Sequence, residues 1–133
     1  MLKYNVYERI LIISDLHIPY HHKDAFAFLT KIKEEYSPDF IVNIGDLLDF
    51  QAMSMHDHDP DLPSPGDELT QAKVYVKELE EIFPKVIEVE SNHSSMVYRR
   101  ALKSGMSRMF LRTYGEFLGT KKWTWQDDLT ITL

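Results

Sequence analysis

The chain has 133 residues, 44% hydrophobic and 27% charged, with a net charge of −6 and no cysteine. This composition fits one soluble α/β domain spanning residues 1–133, and it excludes disulfide scaffolds, thiolate zinc sites and cysteine nucleophiles. The longest apolar run, around Ile10 to Ile13, is far shorter than the ~20 residues of a membrane-spanning helix. With no signal-peptide pattern either, the expected location is cytoplasmic and no membrane partner is expected.

Arg9 to Ser14 is apolar without alternation, which predicts a strand buried on both faces of a sheet and ending at Asp15. From Asp24 to Tyr36, Phe26, Leu29, Ile32 and Tyr36 recur at helical spacing until Pro38 closes the segment. Phe40 to Ile44 reads as a second buried strand, ending at Gly45-Asp46. Met53 to Asp67 carries Pro, His and Asp without a hydrophobic period and reads as a surface loop. Ser64-Pro65-Gly66-Asp67-Glu68 then supplies start signals for a helix with Leu69, Ala72, Val76, Leu79 and Phe83 on one side, stopping at Pro84. Val86 to Val89 is the third strand, and two short helical stretches fall between Met96 and Phe117. Within them Tyr98, Met106, Met109, Phe110 and Leu111 read as core or partner-facing residues. Trp123 to Trp125 and Leu129 to Leu133 alternate like an exposed-edge hairpin. The order β-α-β-α-β predicts a parallel sheet with right-handed crossovers and helices on its faces.

Net acidity argues against coating nucleic acid by charge alone. Between Met96 and Lys122, however, Arg99, Arg100, Lys103, Arg108, Arg112, Lys121 and Lys122 face the single acid Glu116. That segment suits a phosphate-bearing substrate as well as it suits a solvated helix face.

In open α/β sheets ligands bind beyond the carboxyl ends of the strands. Asp15 and His17 follow the first strand, Gly45, Asp46 and Asp49 the second, and Asn92 and His93 the third. Three strand ends therefore deliver oxygen and nitrogen donors to one edge, the arrangement a pair of divalent metals requires. Taken alone, Asp15 or Asp46 reads equally as a helix cap, but that reading leaves His17 and Asn92 unexplained.

The ordered set D-x-H, G-D-x-x-D and N-H resembles the calcineurin-like metallophosphoesterase family from about Arg9 to His93. The run Ser14 to Tyr20 and the pattern around Gly66-Asp67-Glu68 look like phage-type members, which would place the chain in a bacterial host's cytoplasm. The resemblance implies a layered α/β/β/α sandwich and a phosphomonoesterase, phosphodiesterase or nuclease using two divalent ions. Manganese is the expected metal, with zinc, iron or magnesium as alternatives, and the expected substrate is a phosphoester such as a nucleotide or nucleic acid. It implies Asp15 and His17 on the first metal, Asp46 bridging both, and Asn92 on the second. His93 would contact the phosphate and protonate the leaving alkoxide, with Asp49 orienting its imidazole. One of Arg99 and Arg100 would reach a substrate phosphate.

The chain departs from the family pattern in two places. Ser91-Asn92-His93-Ser94 stands where the family usually has G-N-H and then an acid, which predicts a tuned site. After His93 there is no further histidine, so about three expected nitrogen ligands are missing and the sandwich reads as incomplete at the C-terminus. Either a complementing C-terminal segment or self-association supplies them, or His21, His22, His56 or His58 substitutes. The competing expectation is a non-catalytic remnant acting as a metal-binding or protein-interaction module.

Overall fold

The computed structural model describes residues 2–3, 9–57 and 59–132. In chain order the strands are β1 (Leu2–Lys3), β2 (Ile10–Ile13), β3 (Phe40–Asn43), β4 (Ile87–Val89), β5 (Thr124–Gln126) and β6 (Ile131–Thr132). The helices are α1 (Ala25–Tyr36), α2 (Pro65–Ile82), α3 (Met96–Lys103) and α4 (Tyr114–Leu118), with single 3-10 turns at Gln51–Met53 and Arg108–Phe110. No helix among the described residues is long and apolar enough to cross a membrane.

β2, β3, β4 and β5 form one sheet in that order, with every neighbouring pair parallel. Each crossover carries a helix, and right-handed crossovers between sequential neighbours place all of those helices on the same face. Ile13 and Ile41 of the sheet, Phe26 and Leu29 of α1, and Val76 and Leu79 of α2 accordingly share one buried cluster with Leu118 and Trp123. Each such side chain contributes about 1.5–3 kcal/mol on burial. Among the described residues no helix covers the other face: Ile12 is 58% and Ile44 55% exposed. The first strand, expected to be buried on both faces, is therefore buried on one.

Local chemistry sets the helix limits. Ser64 Oγ accepts from the Asp67 N–H at 3.2 Å, and Pro65 fills the first turn of α2, where a missing N–H costs nothing. Pro84 ends the helix, with the N–H of buried Phe83 still donating to the Leu79 carbonyl. α1 closes on Ser37 at φ +45°, just before Pro38. α4 starts with a reciprocal capping box between Thr113 and Glu116.

The expected hairpin at the C-terminus is not formed. β5 lies parallel beside β4 as an edge strand, and β6 pairs parallel with β1; Leu133 is outside the described residues. Alternation reports two unlike faces but not the partner. The helical crossover through α3 and α4 returns the chain to the start of β4, and Trp123 is buried there with its Nε1 donating to the Phe83 carbonyl at 2.9 Å. Of the apolar residues in that crossover, Tyr98 joins the buried set, whereas Met109 and Phe110 are almost fully exposed.

Register places Asn43, Glu88 and Trp125 side by side across β3, β4 and β5. Glu88 is fully buried, and neither carboxyl oxygen has a hydrogen-bond partner among the described residues. Burial pushes its pKa from 4.5 up to about 8, offset in part by the nearby Asn43 amide. Because the folded pKa is the higher one, the folded state holds the proton more tightly. Stability is fully present below the ordinary value and is lost as pH rises through about 8. Urea unfolding across this range should show roughly 3–5 kcal/mol of lost stability. Glu88→Gln, neutral at every pH, should abolish that slope; an unchanged slope would mean that the buried carboxyl is not its source.

Candidate metal centre

The turns after β2 and β3 alternate between buried anchors and outward polar groups. Leu16, Ile18, Leu47 and Leu48 are buried, while Asp15, His17, Asp46 and Asp49 remain accessible between them. The two turns continue the main-chain pairing of the strands. Asp15 N–H donates to Gly45 O at 3.2 Å, His17 N–H to Asp46 O at 2.8 Å, Ile18 N–H to Leu47 O at 2.8 Å, and Asp49 N–H to Ile18 O at 3.0 Å. Keeping those bonds while turning requires unusual backbone. Asp15 (φ +56°), His17 (φ +51°) and Asp46 (φ +52°) are all left-handed, a conformation that costs non-glycine residues about 1–2 kcal/mol each.

The side chains so aimed converge on His17. Its Nδ1 lies 2.9 Å from Asp49 Oδ1, and because a carboxylate only accepts, the proton sits on Nδ1. Nε2 then presents its lone pair 3.8 Å from Asp15 Oδ1 and 3.7 Å from Asp46 Oδ2. This is the relation between a metal-ligating histidine and the carboxylate that orients it. The donor atoms of Asp15, His17 and Asp46 lie within 4.8 Å of one another, as do those of His17, Asp49 and His93. Asp46 Oδ1 is buried without a partner among the described residues, an acceptor that a cation would satisfy. One imidazole nitrogen and two carboxylates suit manganese, iron, zinc or magnesium by donor type.

His93 stands edge-on to His17, ring centroids 4.8 Å apart. The sequence pointed to Asp49 orienting His93, and the contact exists in a different form. His93 Nδ1 donates to the Asp49 main-chain carbonyl at 2.7 Å, while the carboxylate, 3.9 Å away, is engaged by His17. The Asp49 carboxylate thus serves His17 and its main-chain carbonyl serves His93.

Asn92 is exposed in the turn after β4, and its main-chain carbonyl accepts from the Arg99 guanidinium at 2.5 Å. Arg100 instead donates to the Ser54 carbonyl at 3.1 Å and lines a surface cavity with His56 and Lys103. None of the remaining histidines among the described residues joins a metal-competent group. His21 stacks on Phe26 and meets Tyr75 edge-on, with burial lowering its pKa. His22 is exposed beside Asp24, His56 is exposed in its loop, and His58 lies outside the described residues.

Sequence reasoning missed several supporting groups. Ser14 Oγ donates to the Asp15 carboxylate. Asn43 Oδ1 accepts from the Gly45 N–H at 3.1 Å, a role signalled by a polar residue ending an apolar strand. Glu68, fully buried in α2, accepts from the N–H groups of Gln51 at 3.0 Å and Ala52 at 3.2 Å. It pins the chain just after Asp49. Burial raises its pKa despite these bonds, and Tyr20 beside it is raised by burial and by Glu68 and Asp49.

The calcineurin-like phosphoesterase family matches residues 8–125. The chain belongs to that family. No curated protein matches the chain. Metal-dependent phosphoester hydrolysis is the general chemistry of that family, and the two His/Asp groups around His17 are the candidate metal-binding sets of this chain.

Beside this candidate site Ser91 has no positive φ, so no glycine is needed there. The glycine requirement falls on Gly45, at φ +135°, where an added Cβ would meet the Ser91 Cβ at 3.0 Å. Gly45→Ala should cost about 2–4 kcal/mol in urea unfolding, part from φ and part from this contact. In a double-mutant cycle, Ser91→Gly should recover about 1 kcal/mol of it. Zero coupling would show that the contact is not limiting.

Proposed function

We propose that the chain hydrolyses a phosphomonoester or phosphodiester with two divalent ions, manganese being the natural choice. The observation that supports this most directly is His17, with Nδ1 committed to Asp49 and Nε2 turned towards Asp15 and Asp46. Asp15 and His17 would hold the first ion, Asp46 would bridge, and Asn92 would serve the second. When bound, such ions supply positive charge to the phosphoryl oxygens and lower the pKa of water. The protein's own groups do the rest. Asp49 is a positioning residue, fixing the His17 tautomer with its carboxylate and the His93 ring with its carbonyl. His93, with Nδ1 so tied, presents Nε2 to the leaving oxygen and donates a proton from its imidazolium form. Arg99 and Arg100 would meet the phosphate from the basic segment beyond His93. A nucleotide or nucleic acid phosphoester of phage-type chemistry fits that segment.

A second reading is favoured by one observation: among the described residues only Asp15, His17 and Asp46 gather for an ion around His17 Nε2, and no spare histidine adds to them. In that reading the chain binds one ion without turnover. Manganese-dependent hydrolysis of bis-p-nitrophenyl phosphate and p-nitrophenyl phosphate, with metal content measured on the same samples, separates the two. Turnover with two ions per chain, abolished by Asp46→Asn, is the outcome expected of the enzyme. Asp49→Ala should weaken metal affinity about 10–100-fold by freeing His17. One ion and no turnover would leave the binding module.

A further inference from the structure

The sheet carries a buried acid that the metal centre does not use directly. Register sets Asn43 of β3 opposite Glu88 of β4, and each is only 1% exposed. Asn43 Nδ2 is buried without a hydrogen-bond partner among the described residues, and so are both Glu88 carboxyl oxygens. A donor and two acceptors thus stand unpaired on neighbouring strands, out of reach of bulk water.

The two ends of the Asn43 amide are unlike, and each has its own neighbour. Oδ1 accepts from the Gly45 N–H at 3.1 Å. The amide also lowers the Glu88 pKa against the larger effect of burial, which is the action of a donor, so Nδ2 is the end that serves the carboxyl. No charged group of β3, β5 or the helices adds to those two influences among the described residues. Turning the amide over would set Nδ2 against the Gly45 N–H, donor against donor.

Gly45 is where the two turns of the metal centre meet. Its N–H is held by Asn43, its carbonyl accepts from the Asp15 N–H at 3.2 Å, and at φ +135° it leads directly into Asp46. A shift of Gly45 therefore moves Asp15 and Asp46 together, the carboxylates that lie 3.8 and 3.7 Å from His17 Nε2.

We propose that Glu88 is a positioning residue for the metal centre: its carboxyl holds the Nδ2 end of Asn43, which keeps Oδ1 on the Gly45 N–H and so fixes the spacing of Asp15 and Asp46. The inference rests on the metal-binding reading of those carboxylates, but the relay itself involves no ion and is measurable without one. It does not require a charge either. A protonated carboxyl keeps a carbonyl oxygen that accepts from Nδ2, and ionisation strengthens the chain because each hydrogen bond polarises the next.

Glu88→Gln keeps that accepting oxygen, whereas Glu88→Leu removes it. In metal-free, isotope-labelled chain, hydrogen exchange at the Gly45 amide should be about tenfold faster in Glu88→Leu than in the unaltered chain, and within about threefold of it in Glu88→Gln. The adjacent Ile44 amide, bonded to Ile13 O at 2.9 Å, should keep its rate in all three, which a general loss of stability would not allow. Manganese affinity, read by calorimetry, should fall about tenfold in Glu88→Leu and stay near that of the unaltered chain in Glu88→Gln. In the unaltered chain the Gly45 amide proton should move downfield as pH rises through about 8, and Glu88→Gln should remove that step. This last comparison stands even if Glu88→Leu does not fold. Equal Gly45 exchange in the three chains overturns the proposal, as do Gly45 and Ile44 rates that rise together. So does a Gly45 resonance whose pH response is the same in Glu88→Gln. Manganese uptake by none of the chains, the unaltered one included, sinks the metal reading, and the Gly45 rates tell that failure apart from a failed relay.

Discussion

Beyond the last residues of β2 and β3 the two segments keep exchanging main-chain hydrogen bonds, from Asp15–Gly45 through His17–Asp46 to Asp49–Ile18. That ladder dictates the geometry of the metal centre. To maintain it around a turn, three non-glycine residues adopt left-handed conformations that an isolated peptide would avoid. The strain is held because Leu16, Ile18, Leu47 and Leu48 are locked in the core directly beneath. What the strain achieves is convergence. Polar side chains that strict alternation would send to opposite faces all meet at His17.

Support for that arrangement comes from groups with no contact to the ring. Asn43 fixes the Gly45 amide, and Glu68 gathers the Gln51 and Ala52 amides, so the segment carrying Asp46 and Asp49 is anchored at both ends. A buried carboxylate is a costly anchor, since burial raises the Glu68 pKa. It is retained where two amides would otherwise be left unpaired. Glu88 accepts from no main-chain amide, and burial outweighs the nearby Asn43 amide, so its pKa rises to about 8. Two buried acids on one scaffold thus differ in surroundings: Glu68 accepts from two main-chain amides, and the Glu88 oxygens have no hydrogen-bond partner among the described residues.

Strands β2, β3 and β4, the two long helices and their ends were legible because each rests on local chemistry: unbroken apolar runs, a serine cap, prolines at both helix stops. That Asp15, His17, Asp46, Asp49 and His93 gather at one edge was legible for the same reason, each following a strand end. Pairing was not. Whether Trp123 to Trp125 turns back on itself or docks beside β4 depends on where a helical crossover delivers the chain, and alternation does not record that. The division of labour at Asp49 was equally hidden, because a sequence shows which residue has a carboxylate but not that its carbonyl serves the second histidine. His21 looked like a spare ligand in the sequence, and only packing reveals it wedged against Phe26 and Tyr75.

The Ser91 departure shows how such a site tolerates change. Where the family pattern has glycine and, three residues on, an acid, this chain has two serines that bond each other. Ser91 N–H donates to Ser94 Oγ at 2.9 Å, and Ser94 N–H to Ser91 Oγ at 3.3 Å. The pair closes the Asn92-His93 turn without introducing a charge near the His93 ring. Room for the Ser91 side chain comes from the opposite turn, because Gly45 has no Cβ to meet it. The space that a glycine provides at a close approach belongs to both partners, so one glycine suffices if it also has the conformational need. Gly45 has that need, at φ +135°, and Ser91 does not. The constraint therefore rests on Gly45, and the position before Asn92 is free to carry a side chain that closes its own turn.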